Sequence, residues 1–284
     1  MLLQQVLNGL TIGAIYAIIA LGLTLVYGVL RILHVAHAGI YVLGGYVGWL
    51  VHAASGSLAL ALLAAMAASA LAGLLVERWL YLPLLGRPRI VPLIASIGLF
   101  IALEDLFRLV FGPYALAFGA RPPLPSLPLG PLLLTPAQLL VFLAGLLLVG
   151  ATWWMAHRTR VGLAWRAIAE DPGMASALGV DVPRAVGLNF LVGSALAGAA
   201  GVLVGVFFNA VEPTMGSVPA YKGLAIIVLG GLGSFWGAVA AALLLGVVEA
   251  LAIGTVGLLP RDAIAFLALI LMLLARPQGL LGER

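Results

Sequence analysis

Apolar runs, each about as long as a membrane crossing, follow one another along almost the whole chain. A transmembrane α-helix needs about 20 predominantly apolar residues, and within lipid its backbone groups must be hydrogen-bonded inside the segment itself. Apolar residues make up 64% of the 284-residue sequence, far above the roughly 45–50% of a soluble globular chain. The sequence therefore predicts an all-α polytopic membrane protein in which residues 1–284 form a single transmembrane domain.

The apolar runs predict about eight or nine transmembrane helices, with one or two short or broken spans. The candidate segments are Leu2–Leu30, Ala36–Val51, Leu58–Val76, Ile90–Phe111, Pro136–Ala156, Ala185–Phe208, Gly223–Gly233, Ala238–Gly254 and Ile264–Leu274. The second and seventh are short for a full crossing and rich in glycine. Each is therefore a tilted short helix, a broken helix or a re-entrant segment, and we count both as crossings.

The longest polar interruption of these runs is the stretch from residue 157 to residue 184. It holds several of the charged residues in a chain where such residues make up only 8%. From residue 162 to residue 170 the spacing is helical. The side chains that this spacing brings close together are Leu163, Arg166, Ala167 and Glu170.

A second short helix is predicted within the same stretch, from about Pro172 to Leu178. Asp171 precedes it at a suitable N-cap position, and Pro172 occupies the first helical position, where its missing N–H costs nothing. Gly179 is a suitable C′ residue after the last turn. We interpret the stretch as a pair of short, capped, charged helices that dock a soluble partner.

The basic residues predict which side of the membrane this stretch faces. Nine crossings place Arg31, Arg78, Arg87, Arg89, Arg158, Arg160, Arg166, Arg184, Arg276 and Arg284 on one side. On or near the other side fall Arg108, Arg121, Lys222 and Arg261. By the positive-inside rule the first side is cytoplasmic, so the N-terminus is expected outside and the polar stretch is expected in the cytoplasm.

The sequence lacks the motifs of the common enzyme classes. It contains no cysteine, which excludes disulfides and thiolate metal sites. It also has no G-x-x-x-x-G-K-[ST] phosphate loop, no H-E-x-x-H and no G-x-S-x-G. We expect no catalytic residue, no cofactor, no metal and no nucleic-acid partner, so ATP-driven work would require a partner that docks on the cytoplasmic stretch.

A few polar residues fall inside or beside the apolar runs. Glu249 lies within the eighth segment, where an acid either lines a polar path or hydrogen-bonds a neighbouring helix. Glu104 and Arg108 are four residues apart and are expected to form an ion pair. His34 and His37 have no further ligands nearby, so we interpret them as a polar hinge at the membrane boundary rather than as a metal site.

Glycines at small-xxx-small spacing predict close helix packing. The pairs are Gly9 with Gly13, Gly44 with Gly48, Gly201 with Gly205, and Gly233 with Gly237. In lipid there is no hydrophobic drive for helices to associate, so small residues that let backbones approach are what favours their packing.

Several motifs, in order along nearly the full length, resemble the permease subunits of branched-chain amino acid ABC importers. These are the LivH/LivM type, within the wider family that includes ribose permeases. The matching positions are 8–9, 17–21, 26–28, 36–37, 41, 94–98, 162, 166–167, 169–171, 175, 178–179, 213, 216, 222, 228–234, 237–238, 249–251 and 276–282. The length favours the LivH type. His34 and Ala38 stand where the family often has Asn and Gly.

The resemblance implies an ATP-driven importer in the inner membrane of a bacterial or archaeal cell. It implies a second, LivM-like permease subunit, two cytoplasmic ATPases and a periplasmic substrate-binding protein as partners. The residues implied in coupling to the ATPases are Gly162, Arg166, Ala167, Glu170, Asp171, Met174, Leu178 and Gly179. For a zwitterionic, apolar substrate we expect a path of small residues with a few polar groups, and the candidates are Asn8, Tyr16, His37, Tyr41 and Glu249.

Two other classes of function remain open at this point. The permease of an ABC importer for another small solute, such as urea, an amide or a sugar, would share the same pattern. A secondary transporter or channel would need its own coupling or selectivity residues within the membrane, where Glu249 is the one clearly placed candidate. Neither a carrier nor a channel needs a capped, charged helix pair.

Overall fold

The computed structural model describes residues 2–84, 86–129 and 132–256, together with positions 263, 266–267, 270–272, 274, 276 and 278–281. Its helices are α1 (Leu2–Leu30), α2 (His37–Ser55), α3 (Leu58–Val76), α4 (Ile90–Phe111), α5 (Pro136–Arg158), α6 (Arg160–Glu170), α7 (Pro172–Ala177), α8 (Val182–Phe208), α9 (Ser217–Gly230) and α10 (Phe235–Val256). A π-helical turn, Glu77–Tyr81, and a 3-10 turn, Leu82–Leu84, extend α3, and another 3-10 turn, Pro213–Gly216, precedes α9.

Six helical segments in the described part of the chain are long and apolar enough to cross a membrane. They are Leu2–Leu30, Leu58–Leu84, Ile90–Phe111, Pro136–Arg158, Val182–Phe208 and Phe235–Gly254. This confirms a helical, multi-pass membrane protein. Of the other predicted crossings, α2 has 19 residues but is less apolar, α9 has only 14 residues, and the segment 264–274 falls largely outside the described residues.

Helix α1 lies at the centre of the bundle, where it contacts α10, α8, α9 and α5. The predicted glycine contacts are confirmed along it. A Cβ atom added at Gly9 would lie 2.6 Å from the Cα of Val247 in α10, and one at Gly13 would lie 2.8 Å from the Cα of Leu243. Helices α2 and α8 meet in the same way at Gly44 and Gly198.

Replacing Gly44 by alanine should therefore destabilise the bundle, because the added Cβ would overlap the backbone of Gly198 and overpacking typically costs about 1–3 kcal/mol. Gly98 of α4 provides the matched control, since a Cβ there meets nothing within 4 Å. Alanine at Gly98 should leave stability unchanged or raise it, because alanine favours helix over glycine. Thermal unfolding in detergent compares the two, and equal shifts in Tm would contradict the packing.

The two short helices, α2 and α9, both begin inside the bundle. After α1 ends, Arg31 adopts a positive φ of 53° and the chain turns back inward, so that His34 and His37 are buried. The turn before α9 is also enclosed: a Cβ at Gly216 would contact Val42 of α2. The glycine-rich segments that looked too short to cross are thus helices that start within the protein.

A proline-rich connection closes one end of the bundle, which we call the hairpin end. Strands β1 (Leu127–Leu129) and β2 (Leu132–Leu134) pair antiparallel there, a small exception to the predicted all-α fold. Leu116 forms a further bridge to Val211, and the side chain of Asn209 accepts a 2.9 Å hydrogen bond from the N–H of Gly119. The opposite end carries α6 and α7.

Candidate functional site

Helix α6 is anchored to the bundle by one buried face. Gly162, Trp165 and Ile168 are its buried residues, and the indole N–H of Trp165 donates a 2.8 Å hydrogen bond to the carbonyl of Ala185 at the start of α8. Gly162 lies so close to the carbonyl of Ala156 that a Cβ would overlap it. Gly162, one of the predicted coupling residues, is therefore a packing contact that positions α6 rather than part of its exposed surface.

The other face of α6 is exposed. Leu163 is 60% exposed, Arg166 and Glu170 are also exposed, and Ala167 is half-buried. The Arg166 guanidinium donates to the carbonyl of Ala156. This contact holds the end of the arginine side chain near the last turn of α5, while the residue as a whole stays exposed.

Helix α7 has the caps that its sequence predicts. The side chain of Asp171 accepts hydrogen bonds of 2.8 and 2.9 Å from the backbone N–H groups of Gly173 and Met174. At the other end Gly179 has a φ of +87°, and the Val180 N–H reaches back to the carbonyl of Ala175 at 3.0 Å. This is the hydrogen bonding of a Schellman motif, so the predicted second helix and its boundary glycine are confirmed.

The two short helices present one surface, which we call the α6–α7 surface and define as Leu163, Arg166, Glu170, Met174 and Leu178. Met174 is 60% exposed and Leu178 is 77% exposed. Exposed apolar side chains beside charged ones have the chemistry of a surface that can bind another protein. Asp171 caps the start of α7, and Gly179 ends it.

A second constellation lies inside the bundle, where three helices contribute one residue each. The ammonium nitrogen of Lys222 in α9 lies 2.8 Å from Oε1 of Glu249 in α10, and each side chain is almost completely buried. The hydroxyl of Tyr16 in α1 donates to the second Glu249 oxygen at 3.1 Å and accepts from the Lys222 ammonium at 3.1 Å. Tyr16 and Glu249, both predicted for the translocation path, are thus brought together.

Lys222 is the functional candidate that the sequence analysis missed. It was expected on or near the outer side because it precedes the apolar segment 223–233. That placement is wrong, because α9 begins at Ser217 and Lys222 lies in its second turn, 1% exposed. The signal was present as a lysine directly before a run of apolar residues, where a basic group needs an acidic partner.

Glu249 also lines a cavity of about 230 Å³ between α1, α8 and α10. The remaining lining residues are Gln5, Asn8, Ile12, Phe207, Phe208, Ala250 and Ile253. Asn8 is held there because its Oδ1 accepts a 2.8 Å hydrogen bond from the side-chain amide of Gln138 in α5. Of the two alternatives raised for Glu249, the contact with neighbouring helices is observed, and the residue also borders this cavity.

The other two residues predicted for the path lie elsewhere. His37 packs against Gly22, further along α1, and Tyr41 has its backbone against Gly201 of α8. Both side chains are buried, but neither lines the cavity that Glu249 borders.

His34 belongs to a separate buried cluster. Its Nδ1 lies 2.8 Å from the hydroxyl of Tyr81, which the π-helical turn directs inward together with Glu77. Burial lowers the pKa of the His34 imidazole well below its ordinary value, and the nearby His37 lowers that pKa further. Within the described ranges, no three His, Cys, Asp or Glu side chains are grouped so that they would hold a metal ion.

The predicted pair at the hairpin-side end of α4 is present. The Arg108 guanidinium contacts Glu104 at 2.5 Å and Asp105 at 2.9 Å. The side chain of Arg108 is 42% exposed and that of Asp105 is 59% exposed. The contact is therefore a surface ion pair, which contributes little to the free energy of unfolding.

Known proteins match this chain along almost its whole length. Residues 5–276 match the family described as "Branched-chain amino acid transport system / permease component". The chain is 36% identical to the permease protein BraD of the high-affinity branched-chain amino acid transport system of Pseudomonas aeruginosa, with 99% of this chain and 96% of BraD aligned. It is 35% identical to LivH of Escherichia coli K12, with the same coverage, and 30% identical to LivM of that organism, of which 68% is aligned.

No solved structure matches the chain. The resemblance that the sequence motifs suggested is nevertheless confirmed by relatives aligned over almost the full length. The chain belongs to the permease-component family of branched-chain amino acid transport systems.

Proposed function

We propose that this chain is a permease subunit of an ATP-driven importer of branched-chain amino acids, coupled to cytoplasmic ATPases through the α6–α7 surface. The observation that carries the proposal is that surface itself. Two capped helices present Met174 and Leu178, 60% and 77% exposed, beside the charges of Arg166 and Glu170. A chain with no nucleotide-binding motif of its own needs such a contact if ATP is to drive it.

The surface has the chemistry of a protein contact. Within it, Arg166 and Glu170 supply charge-assisted hydrogen bonds, and Met174 and Leu178 supply apolar area for a groove. Asp171 and Ala167 lie beside it and extend the charged and the apolar part. Trp165 fixes α6 to the start of α8 through its hydrogen bond to Ala185. Because α8 crosses the bundle, a force applied at the surface acts on a membrane-spanning helix directly.

The coupling between the ATPases and the permease must obey thermodynamic linkage. ATP-driven closure of docked ATPases shifts the balance between outward-open and inward-open states only if the docked surface binds the two states with different affinity. The guanidinium of Arg31, at the end of α1, donates a 3.0 Å hydrogen bond to the Ala169 carbonyl of α6. A movement of α6 is therefore passed to α1 as well as to α8.

The remaining components follow from the family. We propose a second, LivM-like permease subunit that completes the path, two cytoplasmic ATPases, and a periplasmic binding protein that delivers the amino acid at the hairpin end. This arrangement places the chain in the inner membrane with its N-terminus outside. The path passes the polar groups Asn8, Tyr16 and Glu249, with His37 and Tyr41 further along it.

Co-purification tests the docking. Wild-type chain, expressed with its ATPase subunits and extracted in mild detergent, should retain them. Asp171→Ala should loosen the complex because it loses a helix cap, typically worth about 1 kcal/mol, and Arg166→Ala should weaken docking about tenfold through loss of a charge-assisted contact. Both variants should still insert into the membrane normally.

Arg87→Ala is the matched control, because Arg87 is exposed in the turn between α3 and α4 at the same end of the bundle but outside the α6–α7 surface. It should retain the ATPases as the wild type does. Retention that is lost equally in all three variants would contradict a specific contact, and a wild-type chain that retains no ATPase would overturn the proposed function.

A further inference from the structure

We infer that the cavity between α1, α8 and α10 is a binding site for the zwitterion of an α-amino acid, with its ammonium on Glu249 and its carboxylate on the amide groups of Asn8 and Gln5. The inference rests on the proposed function and deepens it by assigning the contacts that recognise the substrate within the permease. Three properties of the cavity carry it: a buried acid at one side, oriented amides at another, and apolar walls between them.

The acidic side of the cavity is formed by Glu249, which is 1% exposed. The Lys222 ammonium lies 2.8 Å from one of its oxygens, and the hydroxyl of Tyr16 donates to the other oxygen at 3.1 Å. A carboxylate has about four lone-pair sites, so these two partners leave capacity for another donor. Because Lys222 already balances the charge of Glu249, a further donor would bind there by hydrogen bonding to the remaining lone pairs, which an ammonium group can do.

The amide side is oriented by a hydrogen-bond network that extends to α5. The Oδ1 atom of Asn8 accepts from Gln138 at 2.8 Å and from Gln4 at 3.4 Å. Its Nδ2 atom is thereby turned toward Gln5, whose Oε1 it approaches at 3.5 Å. The Asn8 oxygen therefore has both lone pairs engaged, and one of its two N–H groups points to Gln5. The second N–H of Asn8 and the N–H groups of Gln5 are left to donate to a ligand carboxylate.

Helical spacing places the two sides on facing helices. Gln5, Asn8 and Ile12 follow at intervals of three and four on one face of α1, and Glu249 and Ile253 do so on α10. Phe207 and Phe208 at the end of α8 close the space. Aromatic and aliphatic walls around a few polar groups are typical of sites for small, amphipathic ligands.

The volume of about 230 Å³ is several times the roughly 30 Å³ that one water molecule occupies in the liquid. It can therefore hold an organic molecule of several heavy atoms. A simple amine would leave the amides unmatched, and a simple carboxylate would bring no donor to the Glu249 oxygens. A molecule that carries both an ammonium and a carboxylate matches both sides.

The roles of the residues differ. Glu249, Asn8 and Gln5 contact the ligand, and Phe207, Phe208 and Ile12 enclose its side chain. Lys222 and Tyr16 do not line the cavity; they are positioning residues that hold the Glu249 carboxylate in place.

The test is equilibrium binding of radiolabelled leucine to the full permease–ATPase complex in lipid nanodiscs, without the binding protein. Leucine should bind. Two analogues each lack one charged group: 3-methylbutylamine lacks the carboxylate, and 4-methylpentanoate lacks the ammonium. Each should compete at least about tenfold more weakly than leucine, as expected when a charge-assisted contact is lost. The double variant Lys222→Met/Glu249→Gln removes both charges of this ion pair together. It should weaken binding of leucine and of the amine by a similar factor, but not binding of the acid.

Asn8→Ala provides a second variant at the less buried side of the cavity. It should weaken the binding of leucine and of 4-methylpentanoate but not the binding of the amine. This preference is opposite to that of the double variant, and a purely structural role of either site would not produce it. Thr152→Val in α5, a buried residue whose hydroxyl bonds its own helix at Leu148, should change none of the three affinities.

Wild-type affinity for leucine in both the folded double variant and Asn8→Ala would overturn this site. If ATP-driven uptake also persisted in them, the proposed function would stand and the recognition site alone would fall. Absence of leucine binding to the wild-type complex would likewise overturn the site. The importer function is tested separately, by ATP-driven uptake.

Discussion

Replacing Lys222 by methionine alone should destabilise the protein strongly, by about 3–5 kcal/mol, the usual cost of removing one partner from a buried ion pair. The Glu249 carboxylate would remain almost fully buried with its cationic partner gone. A charged group that is left unpaired inside a membrane protein carries a similar cost. Thermal unfolding of the purified chain in detergent should show a markedly lower Tm than wild type.

The double variant Lys222→Met/Glu249→Gln should recover most of that stability. Replacing both members of a buried pair by uncharged groups of similar volume is often neutral or stabilising. Recovery in the double variant and loss in each single variant is the signature of a coupled pair. Additive losses would contradict the 2.8 Å contact between Lys222 and Glu249.

A negative charge introduced into the α6–α7 surface should strongly reduce ATP-driven transport while leaving the fold intact. Leu178 is 77% exposed, so aspartate there costs little in the isolated chain. In the docked complex the same side chain would be buried in an apolar contact, where an unpaired charge is expensive. Leu178→Asp should lower uptake at least about tenfold, the effect expected of a central interface residue.

Arg87→Asp is the appropriate comparison, since it introduces the same side chain at an exposed position at the same end of the bundle. It should transport at close to the wild-type rate. Membrane yield and Tm should match in both variants, which separates a loss of docking from a loss of folding. Equal transport in Leu178→Asp and wild type would show that the apolar part of the surface is not a docking contact.

Local sequence signals predicted the helices well where the signals were strong. The bounds of α1 and α4 agree with the apolar runs because a charged residue or glycine follows each run. Asp171 and Gly179 were assigned correctly because caps depend on neighbouring residues only. The start of α8 was placed late, at residue 185, because the cap by Asp181, whose side chain accepts from the Arg184 N–H at 3.2 Å, lies in the polar stretch before the apolar run.

The interior site was predicted only in part, for a physical reason. Tyr16 and Glu249 were recognised as polar residues within apolar runs, but their partner Lys222 is 206 residues from Tyr16. Only the packing of α1, α9 and α10 brings the three together. Gly162 illustrates the converse case: its place in the motif suggested a contact residue, whereas its closeness to Ala156 makes it a packing residue.

The central claim is that this chain moves branched-chain amino acids when ATPases drive it. The direct measurement is leucine uptake into proteoliposomes that contain the chain, its second permease subunit and its ATPases, with binding protein on one side and ATP on the other. We expect uptake that requires ATP and every component. Uptake by this chain alone, driven by an ion gradient or by no energy source, would contradict it and indicate a carrier or channel.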